Sequence, residues 1–346
     1  MTVTTANSAR DTEARDANEN IFGDARNEPR RTNNDPRANK QQQQKRDRRD
    51  VHGWVVLDKP IGMTSTHAVS VVKRAFAAKK AGHAGTLDPL ATGVLPIALG
   101  EATKTVSFVM DGRKSYRFTV RWGQETDTDD AEGSVIATSG LRPDVEAIRA
   151  ALPQFTGTIM QQPPKFSAVK IAGERAYDLA REGEAVLLEP RPIEIHRLDL
   201  VGVPDTDHAE LEAGCGKGTY VRALARDLGR ALGTCGHVAA LRRTAVGPFT
   251  ADGAVTVDEL AALARDGVLA APILLPVAAG LAALPALAVS RADAARLARG
   301  QPVLLRGRDA PLVQGCVAVS TQGALVALAD VEQGELRPRR IFNLAH

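Results

Sequence analysis

Cysteine is scarce: Cys215, Cys235 and Cys316 are the three in 346 residues, and none falls in a CxxC spacing. An odd, scattered set excludes a disulfide framework and a cysteine-built zinc site, and fits a reducing compartment. Excess charge is scarce as well. The net charge is +3, so any surface for a polyanion must come from local clusters of Lys and Arg. The N-terminus has no apolar core and carries Asp11, Glu13 and Asp16, which argues against a secretory signal and an organellar transit peptide. The longest apolar tract, Gly267 to Val289, is mostly alanine and is broken by Pro272, Pro276, Gly280 and Pro285. It reads as buried or connecting chain, not a bilayer span. A cytoplasmic protein is expected. Familiar signatures are missing too. Gly216-Lys217-Gly218-Thr219 lacks P-loop spacing, and there is no GxGxxG after a strand, no HExxH, no GxSxG elbow and no internal repeat.

What is present divides the chain unevenly. Residues 1–50 are rich in Asn, Asp, Arg and Gln, with eleven Lys/Arg against nine Asp/Glu. They have too little apolar surface to offset chain entropy, so a disordered polar extension is expected. Beyond Val51 the composition is that of a globular protein. Trp54–Leu57 reads as a strand closed by the turn Asp58-Lys59-Pro60-Ile61-Gly62. Thr64 or Ser65 then caps a helix to about Ala78, whose exit is basic through Lys73, Arg74, Lys79 and Lys80. Tyr116–Trp122, Glu194–Val201 and His208–Ala213 read as strands, and Pro143–Leu152 and Tyr220–Leu232 as helices. Thr256 and Glu259 form a capping-box pattern. From about Leu284, short β segments predict a small β-rich unit reaching His346.

The most specified stretch is Gly82-His83-Ala84-Gly85-Thr86-Leu87-Asp88-Pro89-Leu90-Ala91-Thr92-Gly93. It places one carboxylate among glycines, prolines and small polar residues, directly after a basic helix. Asp before Pro also suits a helix N-cap with proline at the first helical position, so a capping role for Asp88 is the simple expectation. The acids Asp127, Asp129 and Asp130 read as a solvated loop and not a metal site.

The segments Leu57-Asp58-Lys59-Pro60, Ala81 to Gly93, Tyr116-Arg117-Phe118, Gly218-Thr219-Tyr220-Val221-Arg222 and Leu241-Arg242-Arg243, taken in order, resemble the bacterial tRNA pseudouridine synthase B family. The resemblance runs from about Val51 to the C-terminus and is strongest from Val56 to Ala102. Ala240, where bulkier apolar residues are usual, departs from it. It implies isomerisation of uridine to pseudouridine at position 55 in the T-loop of tRNA. The implied fold is α/β (α+β): a mixed, largely antiparallel sheet with a catalytic domain over 51–283, an RNA-gripping insertion at about 163–190, and a PUA-like RNA-binding domain over 284–346.

The resemblance also assigns roles. Asp88 would attack or stabilise C1′ of the ribose, Arg222 would pair with it, and Tyr116 would lie against the base and move a proton. His83 would fill the space left by flipped nucleotides, while Tyr220 and Leu241 would wall the pocket. Lys59 and Pro60 would support the Asp88 loop, and Lys73, Arg74, Lys79, Lys80, Arg242 and Arg243 would meet phosphates. The isomerisation changes no oxidation state and releases no group, so no cofactor and no metal is expected. The T-arm of tRNA is the expected partner, with no membrane and no protein partner, and the chain is expected to be a monomer. A guide-RNA-dependent synthase and a non-catalytic tRNA-binding or folding protein remain the alternatives.

Overall fold

The computed structural model describes residues 48–167, 170–171, 174–175, 188–266, 273–305 and 313–344. The polar extension, but for its last three residues, and most of the expected insertion therefore lie outside the described residues. The first half comprises β1 (Gly53–Lys59), α1 (Ser65–Ala75), β2 (Ala81–His83), β3 (Thr92–Leu99), α2 (Val106–Asp111), β4 (Lys114–Trp122), β5 (Gln124–Thr126), β6 (Val135–Thr138), α3 (Val145–Ala151) and β7 (Gly157–Gln161). There follow β8 (Lys170–Ile171), β9 (Glu174–Arg175), β10 (Arg191–Asp205), β11 (His208–Cys215), α4 (Val221–Ala231), β12 (Gly236–Val246), β13 (Phe249–Thr250), β14 (Val255–Thr256) and α5 (Val257–Arg265). The C-terminal unit holds β15 (Ala286–Ala288), α6 (Arg291–Ala298), β16 (Val303–Leu304), β17 (Gly315–Thr321), β18 (Ala324–Glu332) and β19 (Glu335–Ile341).

The large sheet runs β14-β1-β3-β12-β4-β11-β10-β7, with β2 on β3 and β13 on β12. Only β1–β14 and β3–β12 are parallel, so the sheet is mixed and largely antiparallel, as expected. Alternation along β4 puts Tyr116, Phe118, Val120 and Trp122 inward and leaves Arg117 and Arg121 exposed. Helices α1, α3, α4 and α5 cover the inward face in one core with Leu57, Leu95, Ile97, Phe118 and Leu211. Close approach of α4 to β12 requires Gly229, where a Cβ would stand 2.6 Å from the Gly236 nitrogen. Each large apolar side chain fully buried in such a core stabilises it by ~1.5–3 kcal/mol.

The C-terminal sheet, β15-β17-β18-β19-β16, has its own small core around Leu297, Val319 and Leu336. It also shares a core with the large sheet, because Ala318, Leu325, Leu328 and Phe342 cluster with Trp54, Val56, Val109 and Leu281. Lys104 Nζ reaches the Ile341 carbonyl (2.8 Å), and Glu101 accepts the Asn343 N–H (2.8 Å). The described part of the alanine-rich tract is connecting chain: Leu275 exchanges both backbone hydrogen bonds with Trp54, and Val277–Leu281 forms a 3-10 turn. No described helix is long and apolar enough to cross a membrane.

Several local expectations change. Helix α1 stops at Ala75, three residues early, because Ala77 takes a left-handed conformation (φ 49°) that breaks the helical run. Asp88 is not a helix cap. No helix follows Pro89; the chain makes one turn, Ala91 N–H to Asp88 O at 3.1 Å, and enters β3. Nor is the acidic loop solvated throughout: Asp129 and Asp130 are 6% and 3% exposed, buried against arginines of α4.

Candidate active site

The Asp88 loop is held by three buried side chains, each from a different element. Ser65, at the first position of α1, accepts the Leu87 N–H (2.8 Å) and donates to the Leu87 carbonyl (2.9 Å). It is free to do so because Thr64 caps the helix, accepting from the His67 N–H. Lys59, at the end of β1, donates to the carbonyls of Pro60 (2.9 Å), Met63 (2.7 Å) and Pro89 (3.3 Å). Arg243, on β12, donates to the carbonyls of Gly85 (3.0 Å), Thr86 (3.3 Å) and Val94 (2.9 Å). Gly85, Thr86, Leu87 and Pro89 are thus tied down around Asp88, whose own carboxylate is 40% exposed. A buried carbonyl left without a donor costs ~1–3 kcal/mol, so each tie resists movement of the loop.

The carboxylate faces cations. Arg222 Nε lies 2.9 Å from Asp88 Oδ2, and its guanidinium is 7% exposed. Two carbonyls, Thr128 and Phe166, accept from its Nη1 and Nη2 at 2.9 Å each, and Asp130 Oδ2 stands 3.6 Å from Nη1. Arg222 is oriented on every side, so it presents one N–H to Asp88 in a fixed direction. One turn on, Arg226 pairs with Asp129 (2.9 Å) and donates to the Gln162 carbonyl (2.9 Å). Burial pushes the Asp129 carboxyl up to about 6 although Arg226 and Arg222 pull it down. Burial, with Arg243 nearby, pulls the Lys59 ammonium down to about 8, while Asp88 opposes the fall.

Tyr116 sits directly across from Arg243 in the β4–β12 register, and the guanidinium faces its hydroxyl. Burial raises the phenol above its ordinary range, and Arg243 partly offsets this. His83 ends β2, half-buried. Burial and then Arg243 hold its imidazole below its ordinary range, so it is neutral at pH 7. Tyr220 is the N-cap residue of α4, two positions before Arg222, and Leu241 is 9% exposed on the inward face of β12. Where β3 leaves β12, a cavity of about 230 Å³ opens among Ile61, Leu90, Thr92, Arg117, Leu241 and Arg242. Strands β3 and β12 pair in the ladder at Thr92 and Gly93, and a Cβ on Gly93 would stand 2.2 Å from the Arg243 carbonyl.

Asp88, Arg222, Tyr116 and Lys59 are therefore together, with His83 and Arg243 against them. Lys80 is exposed between α1 and β2, and Pro60 contributes its carbonyl to Lys59. One arginine departs from expectation. Arg243 is 1% exposed and cannot meet a phosphate; an inward position alternating with Leu241 is the sequence signal for this. Arg242 points to the other face of β12 and binds Asp58 through both carboxylate oxygens (3.0 and 2.7 Å). Ser65, Asp130 and Gln161 carry no sequence pattern that marks them, because their partners lie 22 to 92 residues away.

Residues 73–221 match the TruB family pseudouridylate synthase N-terminal domain, and residues 222–282 match the tRNA pseudouridylate synthase B C-terminal domain. The chain belongs to the TruB family of pseudouridylate synthases. Its family relatives include the tRNA pseudouridine synthase B of Bradyrhizobium diazoefficiens, 68% identical over 92% of this chain and 94% of the relative. That of Agrobacterium fabrum is 55% identical over 88% and 98%. Among solved structures, a chain of a Cbf5-Nop10-Gar1 complex superposes with a TM-score of 0.66 at 26% identity, covering 84% of each chain. A chain of the archaeal box H/ACA sRNP Nop10-Cbf5 complex does so with a TM-score of 0.65 at 26% identity, covering 84% and 86%.

Proposed function

We propose that this chain isomerises uridine to pseudouridine at position 55 in the T-loop of tRNA, with Asp88 acting at the ribose. The observation that carries the reading is the part-exposed Asp88 carboxylate on a tightly tied loop, paired with a buried Arg222 and adjoining a buried tyrosine. The reaction breaks the N1–C1′ bond, turns the base and joins C5 to C1′; C5 loses a proton and N1 gains one, so nothing leaves. C1′ becomes electron-poor as the bond opens, and an ionised carboxylate stabilises or attacks it as in glycoside hydrolysis. Arg222 holds that carboxylate in a fixed direction through its Nε. Tyr116 is a neutral phenol at pH 7, placed to pass a proton at the sugar or C5.

The target base is stacked in folded RNA and has to be flipped out, at a cost of a few kcal/mol. His83 would occupy the vacated space as a neutral ring, and Tyr220 and Leu241 would keep the detached uracil in place. Lys73, Arg74, Lys79, Lys80 and Arg242 are the candidates for phosphate contacts, of which Lys79 already pairs with Asp50 (2.6 Å) and Arg242 with Asp58. Residues 284–346 would form a PUA-like RNA-binding unit beside a catalytic domain over 51–283, with an RNA-gripping insertion near 163–190. We place the enzyme in the cytoplasm, as a monomer acting without protein partner or cofactor.

Tritium release from 5-tritiated uridine in a T-arm transcript tests the whole reading. Purified protein with no added RNA or protein should release tritium from that uridine. Asp88→Asn should reduce release by at least about a thousandfold. Full release by the Asn variant would remove Asp88 from the chemistry, and a need for a second RNA would favour a guide-dependent enzyme. RNA binding without any release would favour a tRNA-folding protein.

A further inference from the structure

Tyr220 occupies a helix N-cap without the means to hold it. The position is extended (φ −109°, ψ 111°), and no side-chain cap is formed. Ser, Thr, Asp or Asn normally supplies an acceptor there; tyrosine has none within reach of the first turn. The restraint comes instead from Gln161, the last residue of β7. Its Oε1 accepts the Tyr220 N–H (2.9 Å), and its Nε2 donates to the Tyr220 carbonyl (3.1 Å). Gln161 is 2% exposed. A primary amide offers one donor and one acceptor side by side, as a peptide group does, so this side chain pairs with Tyr220 like one rung of a sheet.

The same stretch of chain meets α4 twice more. The Gln162 carbonyl accepts from Arg226, and the Phe166 carbonyl accepts from Arg222. Tyr220, Arg222 and Arg226 are thus aligned by one segment, and Gln161 is its only side chain bonded to the Tyr220 backbone among the described residues. Turning the Tyr220 peptide would swing its ring and shift the start of α4, and with it the Arg222 Nε that meets Asp88.

We propose that Gln161 is a positioning residue for catalysis, acting through the Tyr220 backbone on the pocket wall and on Arg222. This rests on the proposed isomerase activity, and the assay separates the two. Gln161→Met keeps length and apolar contact but neither hydrogen bond; Gln161→Leu serves equally if the first variant does not fold. Thr234→Val is the control: it removes a buried hydrogen bond to the Leu141 carbonyl (3.0 Å) outside the site.

Single-turnover tritium release at saturating T-arm RNA, RNA affinity and thermal midpoint are measured for each. The expected result for Gln161→Met is a rate lowered about 10- to 100-fold, with affinity changed less than about threefold. That is the split for a contact needed in the transition state and not for binding. Thr234→Val should lose a similar number of degrees in midpoint and keep the wild-type rate. An unchanged rate in folded Gln161→Met overturns the proposal, as does a rate loss matched by the control at equal loss of midpoint. If the wild-type protein releases no tritium, the isomerase reading falls and the positioning role with it.

Discussion

A buried guanidinium that meets carbonyls, with no carboxylate in ion-pair distance among the described residues, is unusual, because backbone dipoles are its direct partners. Arg243 does this on three carbonyls of the Asp88 loop and β3 while facing the Tyr116 hydroxyl. Its planar fork reaches all three; an ammonium does not. Arg243→Lys is therefore expected to lower unfolding free energy by about 2–4 kcal/mol, seen in urea melts, although charge is retained. Tyr116→Phe keeps the ring and loses the proton. Its affinity for T-arm RNA should stay within about threefold while tritium release falls at least about a hundredfold; unchanged turnover would end its proposed role.

At the scale of elements, a division of labour within two residues decides where the carboxylate stands. Thr64 caps α1, so Ser65 is spared to bind Leu87 at both backbone groups. Ser65→Ala leaves the cap intact and deprives a buried N–H and carbonyl of partners. A loss of about 1–3 kcal/mol is expected in urea melts, with a fall in tritium release; an unaltered protein would show that Lys59 and Arg243 suffice. Sequence alternation and capping patterns were legible here: strand β4, the capping box at Thr256 and Glu259, and helix α4 all stand where pattern placed them. The Asp-Pro pair misled, since its local preference for a helix start is outweighed by three side chains that pull the loop directly into β3.

For the whole molecule, burial of charge makes stability depend on pH. Asp129 has a folded value of about 6 against an ordinary 3.8, so the folded state binds more protons between these values. Its contribution to stability is complete below the lower value and lost as pH rises through 6. Asp129→Asn removes that term, and unfolding free energy between pH 4 and 6 should slope more steeply upward in the variant than in wild type. Parallel slopes would show that Asp129 titrates normally. Sharing of a core between the two sheets has its own consequence. Truncation after Leu284 deletes Ala318, Leu325, Leu328 and Phe342 from the cluster around Trp54, so the remaining chain should melt well below the intact protein in calorimetry.

Strands β1, β4, β10 and β11, helices α1, α3, α4 and α5, the polar composition of the first fifty residues and the specificity of the Ala81–Gly93 stretch were legible in the sequence alone, because periodicity, capping and composition act over a few residues; β3 and β12, which frame the site, were not. Which arginine is buried, which acid is solvated and which side chains hold Asp88 were decided only in the tertiary structure. Arg242 and Arg243 are adjacent and chemically identical, yet strand alternation sends one to Asp58 and the other beneath the Asp88 loop. Asp129 and Asp130 looked like loop acids until α4, more than ninety residues on, covered them with Arg226 and Arg222. Burial and charge pairing are properties of neighbours in space, and chain folding alone chooses those neighbours.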